Sequence, residues 1–208
     1  LAQVAAFCAK HNLVIVSDEI HCDLVIDQDA RHTVTASLGP EVEARTVTQM
    51  AASKTYNLPG LACAFSVMAD PKLRAAFAQA AAGLVTEINA FGYAGTFAAF
   101  QHGEPWRREL LAYLRGNRDF LYDFVRTRLP QLKLRPMQAT YLAWLDARAL
   151  GVDNLQKFFE DAGVGLSPGS IFGDAGRGWV RLNFGCPRAT LEAALKRMEQ
   201  AINARKAK

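Results

Sequence analysis

The sequence predicts an α/β protein: part of a mostly parallel-sheet domain, then a small α+β domain at its C-terminal end. Three observations carry this. The continuous apolar run Leu13 to Val16 follows a helix-like stretch and ends at the acidic Asp18, as a buried strand does. A second strand-like run, Thr46 to Met50, feeds the turn Ala52-Ser53-Lys54-Thr55-Tyr56-Asn57-Leu58-Pro59-Gly60. A helical pattern of roughly 25 residues, longer than the globular norm, then gives way to short strands mixed with helices.

Taken in order, Leu1 to Asn12 reads as a helix with its apolar residues on one face, and Asn12 suits a left-handed stop. Helix then strand is half of a βαβ unit, so the first strand of that unit is expected before Leu1. A polar loop crosses Asp27 to His32, and Leu61 to Met68 reads as another buried strand. Asp70-Pro71 is a helix start, an acceptor at the N-cap with proline at the first helical position, and Gly83 is the stop. Phe91 to His102, rich in Ala and Phe, reads as a buried helix. From Glu104 the helical pattern runs to Leu129, with Pro130 ending it. A helix of that length often links domains, so residues 1–115 are assigned to the first domain and 116–208 to the second, with Gly116 as the bend. Strands at Leu132 to Leu134, Tyr141 to Leu145 and Trp179 to Phe184 are expected beyond it, with helices at Asn154 to Ala162 and Arg188 to Ala204.

Composition narrows the function classes. Half of the 208 residues are hydrophobic and 21% are charged, which is ordinary for a globular protein with a real core. The net charge of +4 is scattered except at Arg205-Lys206-Ala207-Lys208, a helix end where basic residues are common, so no nucleic-acid partner is expected. No apolar run approaches the ~18–20 residues of a membrane span, and no membrane association is expected. Cys8, Cys22, Cys63 and Cys186 are far apart and lack metal-ligand spacing, so no metal is expected and a reducing, cytoplasmic compartment is the better reading.

Lys54 and Asp18 both stand at the ends of expected strands, far enough apart in sequence for two strands of one sheet to bring them together. A cofactor that needs an amine for a Schiff base and a carboxylate for a pyridinium nitrogen would want this pair. The alternatives are a solvated surface lysine and an ordinary strand-end aspartate. Arg181 lies between Val180 and Leu182 in an expected strand, where an unpartnered guanidinium is costly. It needs a fixed carboxylate, either an α-carboxylate of a substrate or a structural Asp or Glu.

Ser17-Asp18-Glu19-Ile20-His21, Ser53-Lys54-Thr55-Tyr56-Asn57-Leu58 and Val180-Arg181-Leu182-Asn183-Phe184-Gly185-Cys186-Pro187-Arg188 resemble three motifs of the fold-type I pyridoxal-phosphate enzymes, in the family's order. The resemblance is closest to the cystathionine β-lyase branch of the class I/II aminotransferases. It implies the C-terminal half of the family's large domain plus its small domain. It further implies pyridoxal 5'-phosphate as cofactor, an amino acid as small-molecule substrate, and a homodimer in the full-length form. By the same resemblance Lys54 is the catalytic and cofactor-bearing lysine, Asp18 meets the pyridine nitrogen and His21 lies near the cofactor's phenolic oxygen. Ser53 would bind the phosphate and Arg181 the substrate carboxylate. The alternative for His21 is a histidine satisfied in the core, and Tyr56, Tyr141 and Phe172 could line the pocket or pack the core. Arg188 reads as structural. Two positions depart from the transaminase pattern: Ala51, where Ser is frequent, and Ala62, where a phosphate-binding Arg is common.

The expected activity is α,β-elimination on cystathionine or a related L-amino acid. An aminotransferase, or a non-catalytic sensing or dimerisation domain on the same fold, are the alternatives. The family's large domain begins well before Leu1, so the chain alone is expected to be a fragment, inactive and weak in cofactor binding.

Overall fold

The computed structural model describes residues 1–85 and 87–206, the side chain of Lys206 excepted. It divides into two compact units, residues 1–25 with 29–109 and residues 26–28 with 110–208. One boundary between them, 109/110, falls in the long helix that starts at Glu104. Hydrogen bonds within the second unit hold the 26–28 segment to it. Arg115 Nε donates to the Ile26 carbonyl at 2.9 Å, and the Ile26 and Asp27 amides both donate to the Gln138 carbonyl at 2.9 Å.

In the first unit, α1 (Ala2–Lys10) runs into a turn whose Asn12 has φ 51°, the left-handed stop its side chain tolerates. β1 (Ile15–Asp18) follows. After α2 (Pro40–Glu43), β2 (Thr46–Met50) lies parallel to β1, Ile15 opposite Thr46 and Asp18 opposite Gln49. β3 (Phe65–Val67) pairs antiparallel with β2, giving the order β1-β2-β3. The period-two alternation of a strand puts Ile15, Ser17 and Glu19 on one face of β1, and Val16 and Asp18 on the other. The first face is the covered one: Ile15 and Glu19 are buried and Ser17 half-buried, while Val16 and Asp18 are exposed.

α3 (Pro71–Ala81) starts as its sequence requires, with the Asp70 carboxylate accepting from the Leu73 amide at 2.7 Å. α4 (Ala90–His102) starts the same way on Asn89, whose side-chain oxygen accepts from the Gly92 amide at 2.9 Å. α5 (Glu104–Arg128) follows.

Three expectations for this unit need correction. The run from Leu13 is covered on one face rather than two, since Val16 is 64% exposed. Residues 61–68 are not one buried strand: Leu61 closes a short 3₁₀ turn, only 65–67 is extended, and Phe65 and Val67 are exposed. Helix α4 is not buried. Only Gly92 is, and Phe91 stands 78% exposed; α4 meets the rest of its unit at Gly92, against the Leu61 turn, and at Phe100, beside Tyr56 and Phe65. A side chain at Gly92 would collide with the Leu61 carbonyl, and Asn89 Nδ2 donates to that same oxygen at 3.2 Å. Composition signals that apolar side chains want cover without saying what supplies it.

The second unit is an antiparallel sheet backed by helices. β4 (Lys133–Leu134), β5 (Leu142–Asp146), β6 (Ser167–Pro168) and β7 (Trp179–Asn183) lie in the order β4-β5-β7-β6. Ala143 pairs with Leu182 and Leu145 with Val180, and this face is fully buried. Leu114, Leu121 and Val125 of α5, and Leu191, Leu195, Met198 and Ile202 of α7 (Arg188–Lys206), complete the unit's core. α6 (Leu155–Asp161) begins at Asn154, whose side chain accepts from the Lys157 amide.

Candidate active site

Lys54 sits in one helical turn of chain immediately beyond β2. The Tyr56 amide donates to the Ala52 carbonyl at 2.9 Å and the Leu58 amide to the Ser53 carbonyl at 3.1 Å. Asn57 closes the turn at φ 54°, the left-handed conformation asparagine tolerates best among residues with a Cβ. The small residues the sequence supplies here have a use: Ala52 is packed flat, 1% exposed, and lets the turn fold against the sheet. Lys54 and Ser53 are half-buried, and Lys54 makes no ion pair among the described residues.

Because β1 and β2 are parallel and Asp18 is level with Gln49, Asp18 and the Lys54 turn open on the same C-terminal edge of the pair. In open α/β sheets that edge is where ligands bind. Among the described residues the Asp18 carboxylate has one hold, a 3.3 Å hydrogen bond from the Ile20 amide, and Asp18 is exposed. His21 lies in the next turn of chain, half-buried, where the Cys22 amide donates to the Glu19 carbonyl and the Leu24 amide to the His21 carbonyl. Asp18, His21, Ser53 and Lys54 are thus all carried by the first unit.

Cys22 is beside this cluster; burial, then the charges of Asp23 and Glu19, push its thiol up to about 11, which disfavours the thiolate. Tyr56 packs its ring near Phe100 (5.9 Å) and Trp106 (6.0 Å), and burial followed by the Asp23 charge raises its phenol.

Arg181 is in the second unit, on the sheet face opposite the core. Its guanidinium lies 4.9 Å from the Phe172 ring centroid and donates to Ser167 Oγ at 3.3 Å. Phe172 is held edge-on by Trp144 at 5.4 Å. Among the described residues no carboxylate pairs with Arg181, so the structural ion pair weighed as its alternative is not found. Arg188 is structural: its Nε donates to Asn117 Oδ1 at 2.8 Å and its guanidinium lies over Phe120. Tyr141 is half-buried, and burial raises its phenol.

Sequence reasoning passed over two groups. The first is Glu19, 4% exposed, whose carboxylate meets His32 Nε2 at 2.7 Å and accepts from the Thr35 amide at 2.9 Å and the Ser17 hydroxyl at 3.0 Å. Burial alone would raise its pKa, but the hydrogen bonds from His32, Thr35 and Ser17 outweigh that and hold it below the usual carboxylate range. Its signal was present: counting by twos from Ile15 puts Glu19 on the covered face. The second is Asn117, fully buried in α5, which donates to the Phe184 and Cys186 carbonyls at 3.0 and 2.8 Å. It ties down the chain that leaves β7, two residues after Arg181.

Comparison with known proteins adds to this geometry. The family described as aminotransferase class I and II matches residues 1–198. The cystathionine beta-lyase PatB of Bacillus subtilis is 36% identical over 98% of this chain and 53% of its own length. The crystal structure of OvoB superposes with a TM-score of 0.93 at 42% identity, over 98% of this chain and 52% of that one. Cystalysin from Treponema denticola, whose crystal structure contains a pyridoxal 5'-phosphate cofactor, superposes with a TM-score of 0.92 at 28% identity, over 98% and 52%. The chain therefore spans about half the length of the curated relatives it matches.

Proposed function

Because the chain belongs to the class I and II aminotransferase family, we propose that it forms part of a pyridoxal-phosphate-dependent carbon–sulfur lyase acting on cystathionine or a related L-amino acid. The observation that carries the reading is the placement of a carboxylate, Asp18, and an amine, Lys54, on one C-terminal edge of a parallel strand pair. The naming of the B. subtilis relative as a cystathionine beta-lyase supports the choice of reaction.

The residues fit the cofactor. Lys54 supplies an amine free of any ion pair among the described residues. Beside it, Thr55 Oγ1 is buried and without a hydrogen-bond partner among them, a polar group the chain itself leaves unsatisfied. Bound here, pyridoxal phosphate supplies an electron sink for the pair left when an α-proton departs. Asp18, an exposed carboxylate on the edge, would keep the ring nitrogen protonated by charge attraction. Ser53 offers a hydroxyl to the phosphate, and His21 a ring nitrogen near the phenolic oxygen. Lys54 would hold the cofactor through its amine, and as a free amine it would take the substrate's α-proton as general base. Arg181, stacked on Phe172 and held by Ser167, keeps part of its donor fork for the α-carboxylate. Breaking the Cβ–S bond would expel a thiol, and hydrolysis of the remaining three-carbon fragment, which keeps the amino nitrogen, would give pyruvate and ammonia.

The full-length protein is read as a cytoplasmic homodimer. Four free cysteines support the reducing compartment, and the exposed aromatic face of α4 supports assembly. No helix of the described residues is long and apolar enough to cross a membrane.

The test is a pyruvate assay on full-length protein with L-cystathionine and no keto acid. Pyruvate release, reduced at least about a hundredfold by Lys54→Ala, is expected. A strict requirement for a keto-acid acceptor would instead establish the aminotransferase.

A further inference from the structure

Glu19 stands between the two residues assigned to the cofactor ring, Asp18 and His21, and its side chain takes the opposite face of β1. Its backbone is tied in both directions: its amide donates to the Gln49 carbonyl of β2 at 2.9 Å, and its carbonyl accepts from the Cys22 amide at 2.9 Å. Its carboxylate is held by Thr35, Ser17 and His32 as described, and the Ser17 and Thr35 hydroxyls are themselves 2.7 Å apart. For stability alone, a buried charge is a poor choice, because a well-packed apolar residue does as well or better. What a saturated, directional set of hydrogen bonds adds is a fixed backbone position.

Asp18 needs that fixing. With the 3.3 Å hydrogen bond from the Ile20 amide as its one hold among the described residues, its carboxylate takes its bearing from the backbone of 17–20. Neighbouring residues of a strand project to opposite faces, so drawing Glu19 into the covered face presents Asp18 to the open edge. Displacements near 1 Å are enough to impair a catalytic constellation. We propose that Glu19, clamped by His32, is a positioning residue that sets the bearing of Asp18 and His21 on the cofactor ring. This rests on the assignment of Asp18 and Lys54 to pyridoxal phosphate.

The experiment uses full-length protein loaded with pyridoxal phosphate, with Glu19→Gln, His32→Asn, the double variant and Asp18→Asn. Two quantities are read: the cofactor dissociation constant, and the pH at which the bound cofactor's absorbance titrates. Glu19→Gln is expected to weaken cofactor binding about tenfold, the lower end of what losing an outer-shell partner costs a metal site, and to displace the titration midpoint. His32→Asn moves both in the same direction, and the double variant is no worse than Glu19→Gln because the pair acts as one unit. Wild-type affinity and midpoint in Glu19→Gln, whatever its melting temperature, would overturn the inference. Should Glu19→Gln fail to fold, His32→Asn decides by the same readouts. An unmoved midpoint in Asp18→Asn would instead remove the assignment of Asp18, a separate failure.

Discussion

Protonation is what the buried carboxylates of single residues resist. An ordinary glutamate titrates near ~4.3, and Glu19 is held below that by His32, Thr35 and Ser17 against the opposing effect of burial. Between the two values the unfolded chain takes up a proton that the folded chain refuses. Glu19 therefore contributes its full stability above about pH 5 and loses it as pH falls through the folded value. Asp146 acts with the same sign, lowered by hydrogen bonds from Arg148. Urea unfolding at pH 7 and pH 4 is expected to show lower stability at the acid end, with a flatter dependence in Glu19→Gln. At neutral pH that variant is expected to lose about 1.5–3 kcal/mol, the worth of hydrogen bonds to a charged group. Asn117→Ala is expected to cost about 2–4 kcal/mol in the same measurement, since it strips two buried carbonyls and the Arg188 guanidinium of one partner. Lys54, Asp18 and Arg181 were singled out as candidates because an amine or carboxylate at a strand end, or a guanidinium within a strand, is conspicuous. Glu19 was not, because a glutamate following an aspartate reads as one more solvated charge until the strand's facing is counted. Asn117 hides the same way, as the polar member of the buried stripe Leu114, Asn117, Leu121.

Secondary-structure elements were read best where local chemistry decides them. The Asp70-Pro71 start of α3 and the Asn12 stop of α1 depend on a few adjacent atoms, and both stand where the sequence put them. The extent of β3 and the exposure of α4 depend on what packs against them, and no local pattern carries that. Two close approaches make the element scale testable. The backbones of Gly169 and Gly176 lie so near each other that a Cβ on either would strike the other's carbonyl oxygen. That contact pins the 3₁₀ turn ending at Phe172, the residue beneath Arg181. Gly176→Ala is expected to cost about 1–3 kcal/mol by overpacking, read as a lower melting temperature. It should also weaken substrate binding more than cofactor binding. Conversely, Ala62 holds φ 50°, a left-handed conformation that costs a residue with a Cβ about 1 kcal/mol. Ala62→Gly is expected to recover part of that in thermal unfolding, since relieved strain outweighs the added freedom of the unfolded chain.

At the scale of the whole molecule, two units meet the eye in the contact pattern, and the first of them carries every residue assigned to the cofactor. The order of motifs along the chain was enough to expect this, because a parallel pair needs its two C-terminal ends on one edge whatever lies between them. The membership of the 26–28 segment has no local sequence signal, since it joins Arg115 and Gln138 in the second unit through hydrogen bonds distant in sequence. A ligand that binds only the folded state stabilises it by mass action, so excess pyridoxal phosphate is expected to raise the melting temperature of the full-length protein, and less so in Lys54→Ala. The most direct measurement is chemical. Full-length protein loaded with pyridoxal phosphate is reduced with borohydride, digested, and the labelled peptide sequenced by mass spectrometry. The label is expected on Lys54; a label on another lysine, or none at all, would contradict the account.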